Sequence, residues 1–269
     1  MKITEYPVIT KTTSDNVFLV DGNNGTKQIL TTDAILSALS IISPNNHRNI
    51  FRGKNLGSSL TSTQKSAIQN GTFEDLWLGD CWVINGVNWR IVDFDYWYNC
   101  GKEAFTKHHV VVMPDTYLYT YKMNTSNVTT GGYVGSGMYV NGLTNAKNIV
   151  ANAFGSAVLS HQEFLTNAVS GDHPSGGDWY DSTVELPNEI MMYGSHIVIE
   201  AGGEVKRHTI SKQQLALFAQ CPKFIDNRQA FWLRDVASST AFASVSYYGS
   251  AQLANASNDF GVRPVFAIG

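Results

Sequence analysis

Between Cys81 and Val92 apolar residues fall on alternate positions: Trp82 and Ile84 precede Asn85-Gly86, and Val87, Trp89 and Ile91 follow it. That period of two places them on one face of a half-buried sheet. Asn-Gly between two apolar runs is the strongest short hairpin signal, so a hairpin is predicted here. A further strand is expected at residues 109–113, before a Gly-, Thr- and Asn-rich loop that runs to Gly131-Gly132-Tyr133. Helical spacing marks residues 61–70, ended by Gly71. It returns in the stripe Leu143, Ala146, Ile149, Val150 and Ala153, ended by Gly155, and a second helix is predicted at 158–169. After a long irregular stretch, strands are expected at 231–235, 241–248 and 261–268.

The opening residues read as a separate unit. Residues 17–20 and 26–30 flank Asp21-Gly22-Asn23-Asn24-Gly25, a turn-forming stretch, and predict a hairpin. Thr31-Thr32-Asp33 supplies helix-capping side chains, Ile35, Ala38, Leu39 and Ile42 form one apolar face, and Pro44 stops the helix. A helix of about eleven residues is not stable alone, and a lone hairpin is marginal. Ile35, Leu39 and Ile42 are therefore expected to pack between copies of the chain. Residues 45–60, polar and carrying Arg48, Arg52 and Lys54, read as a connector. The predicted division is 1–60, an attachment and oligomerisation segment with its connector, and 61–269, a globular domain; the fold class is α+β.

Composition narrows the function. With 19 Lys+Arg against 22 Asp+Glu and only 15% charged residues, the chain has no cationic track for nucleic acid. Apolar runs are far shorter than the ~20 residues of a membrane helix. Met1-Lys2-Ile3-Thr4-Glu5-Tyr6-Pro7 lacks the apolar core of a secretory leader. Three cysteines, Cys81, Cys100 and Cys221, at irregular spacings suit neither a disulfide framework nor a zinc site. Synthesis in a reducing cytoplasm is expected.

Candidate chemistry is sparse. His108 and His109 are adjacent, and neighbours in a strand point to opposite faces, so they do not chelate one ion together. Trp179-Tyr180-Asp181 follows Gly176-Gly177 in a predicted loop, and exposed rings beside a carboxylate stack on and hydrogen-bond a sugar or protein. Tyr247 and Tyr248 raise the same expectation, with one ring outward if they lie in a strand. Core packing of Trp179 is the competing reading. Arg234, Asp235 and Arg263 lie in apolar strands, where a charge is costly unless paired, so with Trp232 they are assigned structural roles. Glu185, Glu189, Asp178 and Asp181 are close in sequence and would suit glycan hydrolysis if two faced one cleft. No catalytic residue, metal or cofactor is assigned.

Trp232-Leu233-Arg234-Asp235 followed by Gly261-Val262-Arg263-Pro264-Val265 resembles the ending of phage and prophage tail proteins with C-type-lectin-like domains. Leu76-Trp77-Leu78-Gly79-Asp80, His108-His109, Met123-Asn124, Gly131-Gly132-Tyr133, Val184-Glu185-Leu186 and Met192-Tyr193-Gly194-Ser195 extend that resemblance over most of 72–269. The opening Phe18-Leu19-Val20-Asp21-Gly22 and Gly25-Thr26-Lys27 is similar to the start of phage fibre proteins that dock on a virion. Leu186-Pro187-Asn188-Glu189 resembles the Glu-Pro-Asn calcium and sugar motif of C-type lectins, with Leu186 in place of the first carboxylate and Glu185, Asn188 and Glu189 as the would-be ligands.

The resemblance implies a virion-surface fibre subunit, homotrimeric, held to other virion proteins through its N-terminal segment. Its C-type-lectin-like mixed α/β head would bind a host cell-surface glycan or protein. A purely structural fibre or capsid-decoration subunit is the alternative, and a glycan hydrolase the third reading.

Overall fold

A computed structural model describes residues 17–22, 25–30, 46–198 and 213–269. The chain divides into two compact units, residues 1–46 and 47–269. In the first, β1 (Val17–Gly22) and β2 (Gly25–Leu30) form the expected antiparallel hairpin, closing at Gly22 opposite Gly25. The predicted helix bearing Ile35, Leu39 and Ile42 lies outside the described residues.

The boundary expected near residue 60 stands instead between Asn46 and His47. Packing explains the shift, because the supposed connector is bound to the larger unit. The His47 ring lies 4.4 Å from Trp77, and its Nδ1 bonds the Leu76 carbonyl at 2.7 Å. Arg48 pairs with buried Asp93 at 2.6 Å, and Arg52 with Asp80 at 2.6 Å and Asp75 at 2.5 Å. The main chain of 51–57 then runs parallel to β3 (Cys81–Ile84): Leu56 donates to Cys81 O, Cys81 to Lys54 O and Val83 to Gly57 O, at 2.8–2.9 Å. A bare sheet edge is thereby covered.

The larger unit is mixed α+β. α1 (Ser62–Gln69) begins at a capping box, in which Thr61 Oγ1 accepts from Gln64 N and Gln64 Oε1 accepts from Thr61 N. β3 and β4 (Val87–Phe94) form the hairpin read from Asn85-Gly86, whose φ angles are 52° and 78°. β5 (Val110–Pro114) pairs with β4. β6 (Tyr119–Lys122) lies where only loop was expected. A π-turn at Met138–Gly142 leads into α2 (Leu143–Phe154), which ends at Gly155.

The predicted helix at 158–169 is not one. Those residues form β7 (Val158–Leu159) and most of β8 (His161–Ser170), which pairs over its length with β9 (His173–Ser182). His161, Glu163 and Leu165 are buried while Gln162 and Phe164 are not, a period of two. Trp179, Tyr180 and Asp181 consequently sit in a strand, not in a loop. β10 (Val184–Glu185), α3 (Glu189–Tyr193) and α4 (Ala216–Gln220) follow.

β11 (Phe231–Val236), β12 (Ala241–Val245), β13 (Ala251–Asn255), β14 (Asp259–Val262) and β15 (Val265–Ile268) complete the unit. The single strand expected over 261–268 is thus two strands in different sheets, parted at Arg263-Pro264. One sheet runs β10-β15-β5-β4-β3, with β7 also on β15; the other runs β13-β12-β11-β14-β6. Trp82, Trp89, Phe154 and Phe266 meet mostly edge-on at 5.5–5.9 Å, seating α2 on the first sheet. Among the described residues no helix is long and apolar enough to cross a membrane.

Candidate functional site

Three places gather polar or aromatic chemistry. The first is internal, beneath the β8–β9 ribbon. Glu163, fully buried, accepts from Arg234 Nη2 at 2.8 Å and from Trp97 Nε1 at 3.1 Å, with His161 Nε2 at 3.4 Å. Burial opposes its ionisation, yet Arg234 and His161 outweigh that and hold its carboxyl at about 2. Glu185, also enclosed, accepts from Tyr133 Oη and Ser182 Oγ, both at 2.8 Å. Burial pushes its carboxyl up. Trp97 carries the network outward: its ring lies 4.0 Å from His161 and 5.8 Å from His109. His109 is a neutral internal group. Its Nδ1 faces Lys107 O at 2.9 Å and its Nε2 accepts from Trp97 N at 3.1 Å, and burial pushes its imidazole down to about 4.

These contacts disperse the acids that a hydrolase or calcium site would share. Glu185 is bound as above. Glu189 accepts the Ile197 and Val198 amides at 3.2 and 2.9 Å, and Asn188 Oδ1 caps α3 by accepting from Met191 N at 2.8 Å. Asp178 and Asp181 are exposed on the ribbon. Among the described residues no group of three or more His, Cys, Asp and Glu could hold a metal ion. Asp235 accepts from Glu189 N at 2.7 Å, joining β11 to α3. Arg263 donates to Pro114 O and Phe224 O at 2.9 and 3.0 Å between the Phe218 and Phe231 rings, and burial pushes it down to about 10. Trp232, wholly buried, donates to Tyr121 O at 2.8 Å.

The ribbon's aromatics serve the ribbon. Trp179 meets its cross-strand partner Phe164 edge-on at 5.4 Å, and Phe164 in turn lies over Gly177, where a Cβ would fall 2.5 Å from the ring. Tyr180 receives Asn167 Nδ2 at 3.3 Å and faces Tyr139 at 6.4 Å. Trp179 and Tyr180 are half-buried. Near the tip, Asp172 accepts both Ser239 N and Ser239 Oγ, at 3.1 and 2.6 Å, fastening the ribbon to one end of β12.

Tyr247 and Tyr248 lie at the other end of β12. β12 stops at Val245, so both residues occupy the turn to β13 and both rings project, 52% and 72% exposed, where alternation along a strand allowed one. The turn is held firmly. Ser246 Oγ bonds Ser250 Oγ at 2.6 Å and accepts from Tyr248 N and Ser250 N, while Tyr193 Oη donates to Gly249 O at 3.0 Å. Gly249, at φ 79°, passes so close to Asp226 that a Cβ would fall 2.8 Å from its side chain. The rings meet edge-on at 5.3 Å, and the Arg228 guanidinium lies 6.0 and 5.8 Å from their centroids. Trp179–Asp181 and Tyr247–Tyr248 therefore belong to separate surfaces.

The third place is an open basin of about 440 Å³ lined by Lys65, Gln69, Thr106, Lys107, His108 and Ser156, with Leu159 and Gly269 also on its wall. His108 is pre-set: its Nδ1 bonds Asp95 Oδ2 at 2.7 Å and its ring stacks on Tyr98 at 4.8 Å. Of this lining the sequence singled out only His108, since Lys65, Lys107 and Ser156 come from three separate stretches.

No family model, curated protein or solved structure matches the chain.

Proposed function

We propose that the chain is a bacteriophage virion-fibre subunit of tail-fibre type, trimeric and mounted on the virion by its first unit. Its larger unit is a C-type-lectin-like head that binds a host cell-surface glycan or protein through the β12–β13 turn. The observation that carries the reading is the pair Tyr247 and Tyr248, both exposed on a turn whose main chain is held by Ser246 from within and Tyr193 from outside. Large rings held rigid in water offer stacking area at little entropic cost on binding. The lectin-like reading draws support from the late strand β15, which pairs with β5 in the sheet that also holds the early β3–β4 hairpin.

The test is binding of the purified full chain to cells of candidate hosts, with Tyr247→Ala and Tyr248→Ala. Saturable binding that drops about tenfold in either variant supports the head and its face. Binding untouched by both overturns the assigned face. An assembled oligomer that binds no host and shields both rings from solvent replaces this reading with a structural fibre or capsid-decoration subunit.

A further inference from the structure

We infer that the Lys65–Lys107–His108 basin is a second binding site, for an oxyanion carried on a saccharide-sized polyol. The chain as a whole is slightly acidic, with a net charge of -3, yet no acidic side chain lines this basin. Among the described residues neither the Lys65 nor the Lys107 ammonium has a hydrogen bond or ion pair. Cations gathered on one concave wall without counter-charges focus a positive potential into it. Gly269 faces the same space, and the nearby Asp95 carboxylate is turned to the His108 imidazole.

Geometry favours a ligand that is more than a lone ion. The basin's volume falls within the range of small-molecule sites, roughly 300–1,000 Å³. Gln69, Thr106 and Ser156 place neutral donors and acceptors for hydroxyl groups beside the cations, and Leu159 supplies an apolar patch for the carrier. His108 forms a fixed wall of the basin and leaves the donors to the two lysines, because Asp95 takes its Nδ1 and Tyr98 fixes its plane. The opposite ring edge rests on Gly71, where a Cβ would sit 2.7 Å from Nε2 and Cδ2; only glycine lets the imidazole occupy that place. The site shares no residue with the tyrosine turn and does not depend on it.

The experiment is calorimetric titration of the full chain with glucose 6-phosphate, glucuronate, inorganic phosphate and glucose, at low and high salt. Glucose 6-phosphate or glucuronate should bind more tightly than inorganic phosphate, glucose should not bind, and added salt should weaken the charged probes. The stronger of the two acidic sugars identifies the source as phosphate or carboxylate. Lys65→Gln with Lys107→Gln should lower affinity about tenfold or more, from two lost charge-assisted contacts, while Tyr248→Ala should leave it unchanged. Lys107 is exposed and Lys65 half-buried, and circular dichroism would verify that the double variant folds. Absence of binding by both acidic sugars, equal binding of glucose, or affinity that survives the double substitution would overturn the assignment.

Discussion

The β8–β9 ribbon and the β12–β13 hairpin both carry neighbouring aromatic residues close to glycine, and they use them in opposite ways. In the ribbon, register pairs Trp179 with Phe164 and sends Glu163 inward to Arg234, so the aromatics brace a strand pair whose base holds an internal ion pair. In the hairpin the strand ends one residue before Ser246, and Tyr247 and Tyr248 are left in solvent above a hydrogen-bonded turn. Similar sequence chemistry thus yields scaffold in one place and surface in the other. What separates them is whether a partner strand exists to fold the rings against.

The comparison breaks most readily at Arg234. Arg234→Met leaves Glu163 buried without its cation, and urea unfolding should show a loss of about 3–5 kcal/mol. Adding Glu163→Leu should restore most of it. A double variant as unstable as the single would mean that the ion pair does not hold the ribbon's base.

Acid should act on the same region next. His109 is held neutral at about 4 in the fold against an ordinary value near 6.5, so the unfolded chain takes up the proton first. The contribution of His109 is whole above pH 6.5 and is lost as pH drops towards 4. Glu163, held at about 2 against an ordinary 4.5, extends the loss below pH 4.5. Urea midpoints between pH 7 and 4 should fall in the native chain and less steeply in His109→Gln; parallel curves would remove His109 as the cause.

Smaller effects sharpen the contrast. Phe164→Ala removes a half-exposed cross-strand pair and the cover of Gly177, for about 1 kcal/mol by urea unfolding, without changing cell binding. Tyr248→Ala should do the reverse, changing stability by less than about 0.5 kcal/mol while weakening binding. A Phe164 variant that loses binding but keeps its stability would move the contact face to the ribbon.

Local signals carried the elements that sequence could reveal. Asn85-Gly86 and the helical spacing ended by Gly71 are short-range devices, and the structure builds a hairpin and a helix where they stand. Residues 158–169 misled because Val158, Leu165, Ala168 and Val169 mimic a helical stripe. Their partner strand, rich in Gly, Asp and Ser, has almost no strand propensity of its own and is made by pairing. Glu163 lies in the same stretch, and its partner Arg234 is 71 positions away, beyond the reach of any local pattern. The two exposed tyrosines were visible as candidates, though the end of β12 at Val245 decided that both face out. The basin was invisible, because Lys65, Lys107 and Ser156 acquire a common purpose only once α1, the strand-entry loop and the end of α2 are brought together.

The position of β15 between β5 and β10 also orders events during synthesis. β3, β4 and β5 leave the ribosome early, but the strand that completes their sheet follows only after more than half the chain has been made. Until then the wholly apolar edge of β5, Val110 to Met113, has no native neighbour on that side. Such non-local pairing is slow and exposes sticky intermediates. A nascent chain stalled before residue 265 is therefore a natural client for a chaperone that recognises extended apolar segments.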